Sequence, residues 1–189
     1  MIIFYITIQK KEKMNWYKKI LTSDYNNDII PNMKKELIIM RGTPSSGKSY
    51  LAKQLAGENG SVLSADDFHT DPETGKYNWK PENVSRAHKW NHQRIDEAID
   101  KGISPIAIDN THIKKWELKA LKPLVQKAKL NGYEVRIEEP NPDWYHYNTA
   151  FDPEALYERN KTTHNVPLES IKKMVENYDE DITIDDIIT

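Results

Sequence analysis

Gly42-Thr43-Pro44-Ser45-Ser46-Gly47-Lys48-Ser49 satisfies the pattern G-x-x-x-x-G-K-[ST] at every position. Glycines at the two fixed positions let backbone N–H groups curl around an anion. A helix that starts there adds the positive end of its dipole. In this pattern Lys48 is expected to reach the β- and γ-phosphates, and the Ser49 hydroxyl to help hold Mg²⁺. The residues from Gly42 to Tyr50, the last in the first turn of the following helix, are therefore the candidate ATP contacts.

Two further sites carry acids. Asp66 and Asp67 end the apolar stretch in "SVLSADDFHT". A carboxylate there can take the proton of a hydroxyl as that hydroxyl attacks the γ-phosphate. Asp66 is the first choice as general base, and Asp67 is a neighbouring candidate for substrate contact. The competing reading is a turn cap, because Asp is common after strands. Asp109 closes "PIAIDNTHI", the Walker B arrangement that orients Mg²⁺ or its water shell. Asn110 and Thr111 then stand where they could touch the nucleophile or the phosphate loop. Here too a solvated strand-end turn is the alternative.

These residues need a scaffold, and the chain alternates strand and helix signals from Glu36 onward. "ELIIMR", "SVLSA", "PIAIDN" and "YEVRIEEP" are short apolar runs, as buried parallel strands are. Between them lie helical patterns: "GKSYLAKQLAGENG", a stretch from about Pro81 to Lys101, and "IKKWELKALKPLVQKAKLNG", which Pro123 should kink or split. "DPEALYERN" and "PLESIKKMVENYDED" read as two short helices with Pro in the first turn. Alternating elements imply right-handed βαβ units, hence a doubly wound α/β domain whose parallel sheet is covered on both faces. In such sheets ligands sit beyond the carboxyl ends of the strands, where the loop and both acids fall. Residues 1–32 lack a sustained period and read as an appendage, or as translation from an upstream start, with a packed N-terminal helix as the alternative. The P-loop domain is expected over 33–189, with a helical lid at about 152–178.

Composition narrows the setting. The 189 residues contain no Cys, which excludes disulfides and thiolate zinc sites and suits a reducing, cytoplasmic compartment. No stretch approaches the roughly 20 apolar residues of a membrane span. The formal net charge of −2 argues against a grip on long duplex DNA, which normally shows a basic surplus. It is compatible with contact to a few nucleotides at a strand end.

The phosphate loop, "SADD", "AHKWNHQR", "IDNTHI" and "ERNK" occur in an order that resembles the P-loop 5′-hydroxyl polynucleotide kinases, of the phage type and of the Nedd-binding-protein type. The likeness runs from about Lys35 to Tyr178. It implies ATP and Mg²⁺ at Lys48 and Ser49, Asp66 as base on a 5′-OH of RNA or DNA, and Arg159 as a lid arginine on the phosphates. By spacing alone Arg159 would read as a solvated helix residue. It also implies that the helix from Arg86 to Arg94 lines the acceptor channel. There Trp90 is four residues from both Arg86 and Arg94 and shares a face with each. A base could stack on Trp90 while an arginine holds the backbone; the alternative is an ordinary core aromatic. The chain departs from the phage pattern at Thr162, Thr163 and His164, where a second lid arginine is missing. It departs again at His69, which stands where an arginine follows the acid pair. No "DxDxT" phosphatase segment occurs. A kinase of small-molecule hydroxyls, and a nucleotide-binding interaction module with little turnover, are the alternatives in function.

Overall fold

In the computed structural model, residues 34–140 and 151–189 are described. The expected appendage at 1–32 lies outside them. The chain enters at β1 (Lys35–Met40), whose last four residues are buried, and leaves it through the phosphate loop into α1 (Lys48–Ala56). Gly57, with φ of 61°, ends that helix in a conformation that a side chain would strain. β2 (Ser61–Leu63) follows, then a 3₁₀ turn at Ala65–His69 and a short loop. Pro81 opens a second 3₁₀ turn that feeds α2 (Val84–Asp100). β3 (Ile106–Ile108) comes next.

The long helical pattern around Pro123 is split, as expected, into α3 (Lys115–Lys119) and α4 (Lys122–Leu130). Pro123 falls in the first turn of α4, where its missing N–H costs nothing. β4 (Tyr133–Glu138), α5 (Pro153–Asn160) and α6 (Leu168–Glu176) complete the expected elements. A last helix, α7 (Ile184–Ile188), was not anticipated, because five residues are too few to show a period. It is defined instead by a capping box. The Thr183 N–H donates to the Asp186 carboxylate at 2.9 Å, and Ile187 is fully buried.

All described strand pairs are parallel, in the order β2-β3-β1-β4. β1 is therefore central, with Leu37 opposite Ile106 on one side and Val135 on the other. Alternate residues of β1 serve opposite faces, as pleating requires. Leu37 and Ile39 join Ile95 and Ile99 of α2, Leu124 and Val125 of α4 and Ile187 of α7 in one cluster. Ile38 and Met40 pack with Leu51 and Ala52 of α1. Helices thus cover both faces of the sheet. No helix among the described residues is long and apolar enough to cross a membrane.

At the carboxyl end of β1, Arg41 is 1% exposed. Its Nε donates to the His112 carbonyl at 2.9 Å and its Nη2 to the Asp179 carbonyl at 2.6 Å. Nη1 pairs with the Glu139 carboxylate, and the guanidinium stacks 4.6 Å from the Tyr178 ring centre. One buried cation therefore ties β1, the loop after β3, the end of β4 and the C-terminal segment. Only a guanidinium offers enough donors in a fixed fork to do this.

Replacing Arg41 by Met keeps the bulk but leaves two buried carbonyls and a carboxylate without their donor. Urea denaturation should show a loss of roughly 3 kcal/mol, and a midpoint equal to that of the unsubstituted chain would refute the role.

Candidate active site

The loop from Gly42 to Ser49 is shaped by backbone that resists substitution. Gly42 has φ of 150°, and a Cβ there would lie 2.5 Å from Ser46 Oγ. Gly47, at φ 91°, turns the chain into α1, and Ser45 is also left-handed at φ 61°. The Gly42 N–H donates to the Thr111 carbonyl at 2.9 Å, so Thr111 meets the loop through its backbone. Thr43 and Ser46 are buried, while Ser49 and Tyr50 are exposed at the start of the helix. Ser46 Oγ is buried with no hydrogen-bond partner among the described residues. An unsatisfied hydroxyl in a ring of backbone donors at a helix N-terminus is what a phosphate oxygen would satisfy.

Lys48 reaches across to β3. Its ammonium lies 2.6 Å from Asp109 Oδ1, and the two side chains are only 11% and 6% exposed. Neither charge could sit there alone without a large desolvation penalty. The loop lysine and the strand-end acid, 61 positions apart in sequence, thus stand at one point. The neighbouring Asn110 accepts from the Ala65 N–H at 3.0 Å, joining the end of β3 to the turn that carries the acid pair. Its amide nitrogen is buried without a partner among the described residues.

The two adjacent acids have separate fates. Asp67 is the third residue of the 3₁₀ turn. Its carboxylate accepts from the Ser64 N–H at 3.4 Å and pairs with Arg94 of α2 at 2.8 Å. It caps the turn and holds α2, so the cap reading applies to Asp67. Both acids are exposed, but where Asp67 is paired with a cation the Asp66 carboxylate accepts from the neutral Tyr77 hydroxyl, at 3.1 Å. That makes Asp66 the more available of the two as a proton acceptor.

Aromatic rings and arginines cluster on this turn and on α2. Phe68 and Trp90 meet edge to face at 5.6 Å. The Arg94 guanidinium lies 4.2 Å from the Trp90 ring centre, and that of Arg86 lies 5.6 Å from Phe68. Trp90 is therefore not a core aromatic; it stands at the surface, as the shared helical face with Arg94 allows. His69 is buried instead, 6.1 Å from the Tyr77 ring and 6.4 Å from that of Trp79. It packs against rings of the loop that follows.

Arg159 lies in the last turn of α5, half-buried. Its neighbour Asn160, fully buried, donates from Nδ2 to Ser45 Oγ of the phosphate loop at 3.1 Å and accepts from the Val166 N–H at 2.5 Å. Asn160 is thus what fastens the helical segment to the loop. Sequence reading passed over it, since a buried Asn at a helix end has no local signature. Tyr77 was passed over for the same reason, lying in a polar loop.

His112 closes the rear of the site. It is buried at φ 44°, and its Nδ1–H donates to the Met40 carbonyl at 2.8 Å. Burial pushes its pKa down from 6.5 to about 4, and the charges of Lys48, His88 and His92 act in the same direction. The imidazole is neutral in the native state near pH 7.

An AAA domain family model (AAA_33) matches residues 37–180. Human NEDD4-binding protein 2 is 39% identical over 150 residues, which are 78% of this chain and 8% of that protein. The chain therefore spans a small part of this curated relative. Among solved structures, the Pnkp1/Rnl/Hen1 RNA repair complex aligns with a TM-score of 0.53 and 19% identity, over 79% of this chain and 45% of that one. A gluconokinase from Sinorhizobium meliloti 1021 aligns with a TM-score of 0.39 and 14% identity, over 78% and 77% of the two chains. The expected P-loop fold and the likeness to Nedd-binding proteins are borne out.

Because the native His112 resists protonation that the unfolded chain accepts, stability should fall as pH drops from 6.5 towards 4. The full effect is on the order of 3 kcal/mol. Asn tolerates positive φ, so His112→Asn should flatten this part of a urea-midpoint profile. An equally steep profile would contradict the assignment.

Proposed function

The chain belongs to this AAA domain family, and from that premise we propose that it is an ATP-dependent kinase transferring the γ-phosphate to a hydroxyl, with the 5′-OH end of RNA or DNA as acceptor. The observation that carries the reading is the exposed Asp66 carboxylate, just beyond the carboxyl end of β2, whose neighbours Asp67 and Phe68 meet Arg94 and Trp90 of α2. Aromatic faces on which bases stack, together with cationic side chains for the backbone, are how single strands are held.

In this mechanism Gly42 to Tyr50 hold the triphosphate, and Lys48 gives up part of its pairing with Asp109 to neutralise the β- and γ-oxygens. The acceptor hydroxyl attacks the γ-phosphorus as Asp66 takes its proton. The new O–P bond forms while the bond to the ADP oxygen breaks. Arg159, in a lid taken as residues 152–178, adds positive charge over the phosphoryl group. Ser49 and Asp109 would be the oxygen donors for Mg²⁺, which when bound would supply positive charge against the charge that develops on the phosphates. Among the described residues no cluster of three or more His, Asp or Glu is placed to hold a metal. Most ligands of such an ion would then come from nucleotide and water, as is usual for Mg²⁺.

A nucleotide end is contacted over a few residues, which suits a net charge of −2. The same charge keeps a small-molecule hydroxyl as the second reading. A cysteine-free chain of this kind fits a cytoplasmic setting.

Incubation with γ-labelled ATP and a panel of 5′-OH RNA, 5′-OH DNA and small polyols should label the oligonucleotides. Label appearing only in inorganic phosphate would sink the kinase reading, and label only in a polyol would select the second one. Asp66→Asn should lower transfer by at least about 100-fold while ATP binding, measured by calorimetry, is retained.

A further inference from the structure

We propose that Tyr77 is a positioning residue for Asp66, and that it couples the placement of the helical segment after α5 to that acid through its ring contact with His164. This rests on the phosphotransfer reading above.

Tyr77 is delivered by a small, well-defined hairpin. The Asp71 N–H donates to the Lys76 carbonyl at 3.0 Å and the Asn78 N–H to the His69 carbonyl at 2.8 Å, closing an antiparallel bridge between Thr70 and Tyr77. The Asp71 carboxylate fastens the turn, accepting from the Glu73 and Thr74 N–H groups at 2.9 and 2.8 Å. Those bonds hold its pKa below the usual carboxylate value. Gly75, at φ 68°, supplies the left-handed residue that reverses the chain. The polar loop "TDPETGKYNWKPEN" is thus a device that returns one side chain to the acid 11 positions earlier.

The hydroxyl so delivered donates to Asp66 Oδ1. Half-burial and the nearby carboxylate push the Tyr77 phenol well above its ordinary pKa, so it remains a donor at neutral pH. With one carboxylate oxygen occupied, the rotation of Asp66 is restricted. The other oxygen is left as the proton acceptor, which is the orientation a general base needs.

The opposite face of the relay is His164. Its ring lies 4.6 Å from that of Tyr77, tilted by 49°. His164 belongs to the turn after α5, and that turn is anchored on the phosphate loop by Asn160. The contacts run from Ser45 through Asn160 to the turn, then from His164 to Tyr77 and on to Asp66. The Tyr77 side chain thereby joins the segment anchored on the phosphate loop to the acid.

The experiment uses the full chain with ATP and a 5′-OH oligonucleotide, comparing Tyr77→Phe, His164→Ala and the double variant. Tyr77→Phe keeps the ring and removes only the hydroxyl, so it should fold with an unchanged urea midpoint. It should lower kcat at least about tenfold with the KM for ATP unchanged. His164→Ala should lower kcat less, and should add nothing in the Tyr77→Phe background, since its effect passes through that hydroxyl. Independently of turnover, Asp66→Asn should let the Tyr77 phenol ionise at lower pH, read as the phenolate absorbance lost on comparison with the Tyr77→Phe chain. Wild-type kcat in Tyr77→Phe, with oligonucleotide transfer intact, overturns the positioning role alone. Multiplicative losses in the double variant overturn the coupling through His164. Absence of transfer to any hydroxyl in the unsubstituted chain overturns the phosphotransfer reading and this inference with it.

Discussion

The buried Arg41 guanidinium is the contact on which the geometry of the active end depends. β1 must deliver the phosphate loop to a fixed point, yet a central strand has no covalent link to the loops beside it. Arg41 supplies that link with donors to the His112 and Asp179 carbonyls and to Glu139. A cation so deeply buried is tolerated only when its donors are satisfied. The chain segments that satisfy it are therefore held where they are. Those segments flank the phosphate loop, so the packing that stabilises the sheet end also sets the site.

A second constraint follows from strand order. With β3 between β1 and β2, the loop, Asp109 and the acid pair emerge side by side from adjacent strand ends. That adjacency places Lys48 against Asp109 and lets Asn110 bond to Ala65. The two acids after β2 then diverge because one meets the Ser64 N–H and Arg94 and the other meets the Tyr77 hydroxyl. Identical residue types in adjacent positions end in different chemistry, one a cap and the other a candidate base.

Much of this was legible from pattern. The apolar runs of β1 to β4 and the periodicity of α1 and α2 are local signals, and local signals survive into the fold. The break at Pro123 follows from the ring's clash with a continuing helix and from its lost donor. The face shared by Trp90 and Arg94 is helical arithmetic and appears as their 4.2 Å contact. The capped helix at Ile184–Ile188 was not visible, since its stability comes from burying Ile187 against a sheet built from distant sequence. His69, a candidate substrate contact that stands where the resembled family has an arginine, is buried among rings from a loop whose hairpin no period announces.

By itself, then, the sequence determined the phosphate loop, the alternating architecture and the strand-end positions of the acids, because each depends on residues close together in the chain. Tertiary structure decided which acid is available, what holds it, and how the segment after α5 is anchored. Those outcomes rest on Tyr77 meeting Asp66, Arg94 meeting Asp67 and Asn160 meeting Ser45. Each of these is a hydrogen bond or ion pair between residues that only the folded sheet and its loops bring within reach. For Arg94 and Asn160 no local propensity encodes the pairing, because the partner's position is set by the packing of distant elements; Tyr77 is brought back by a hairpin whose turn no period announces.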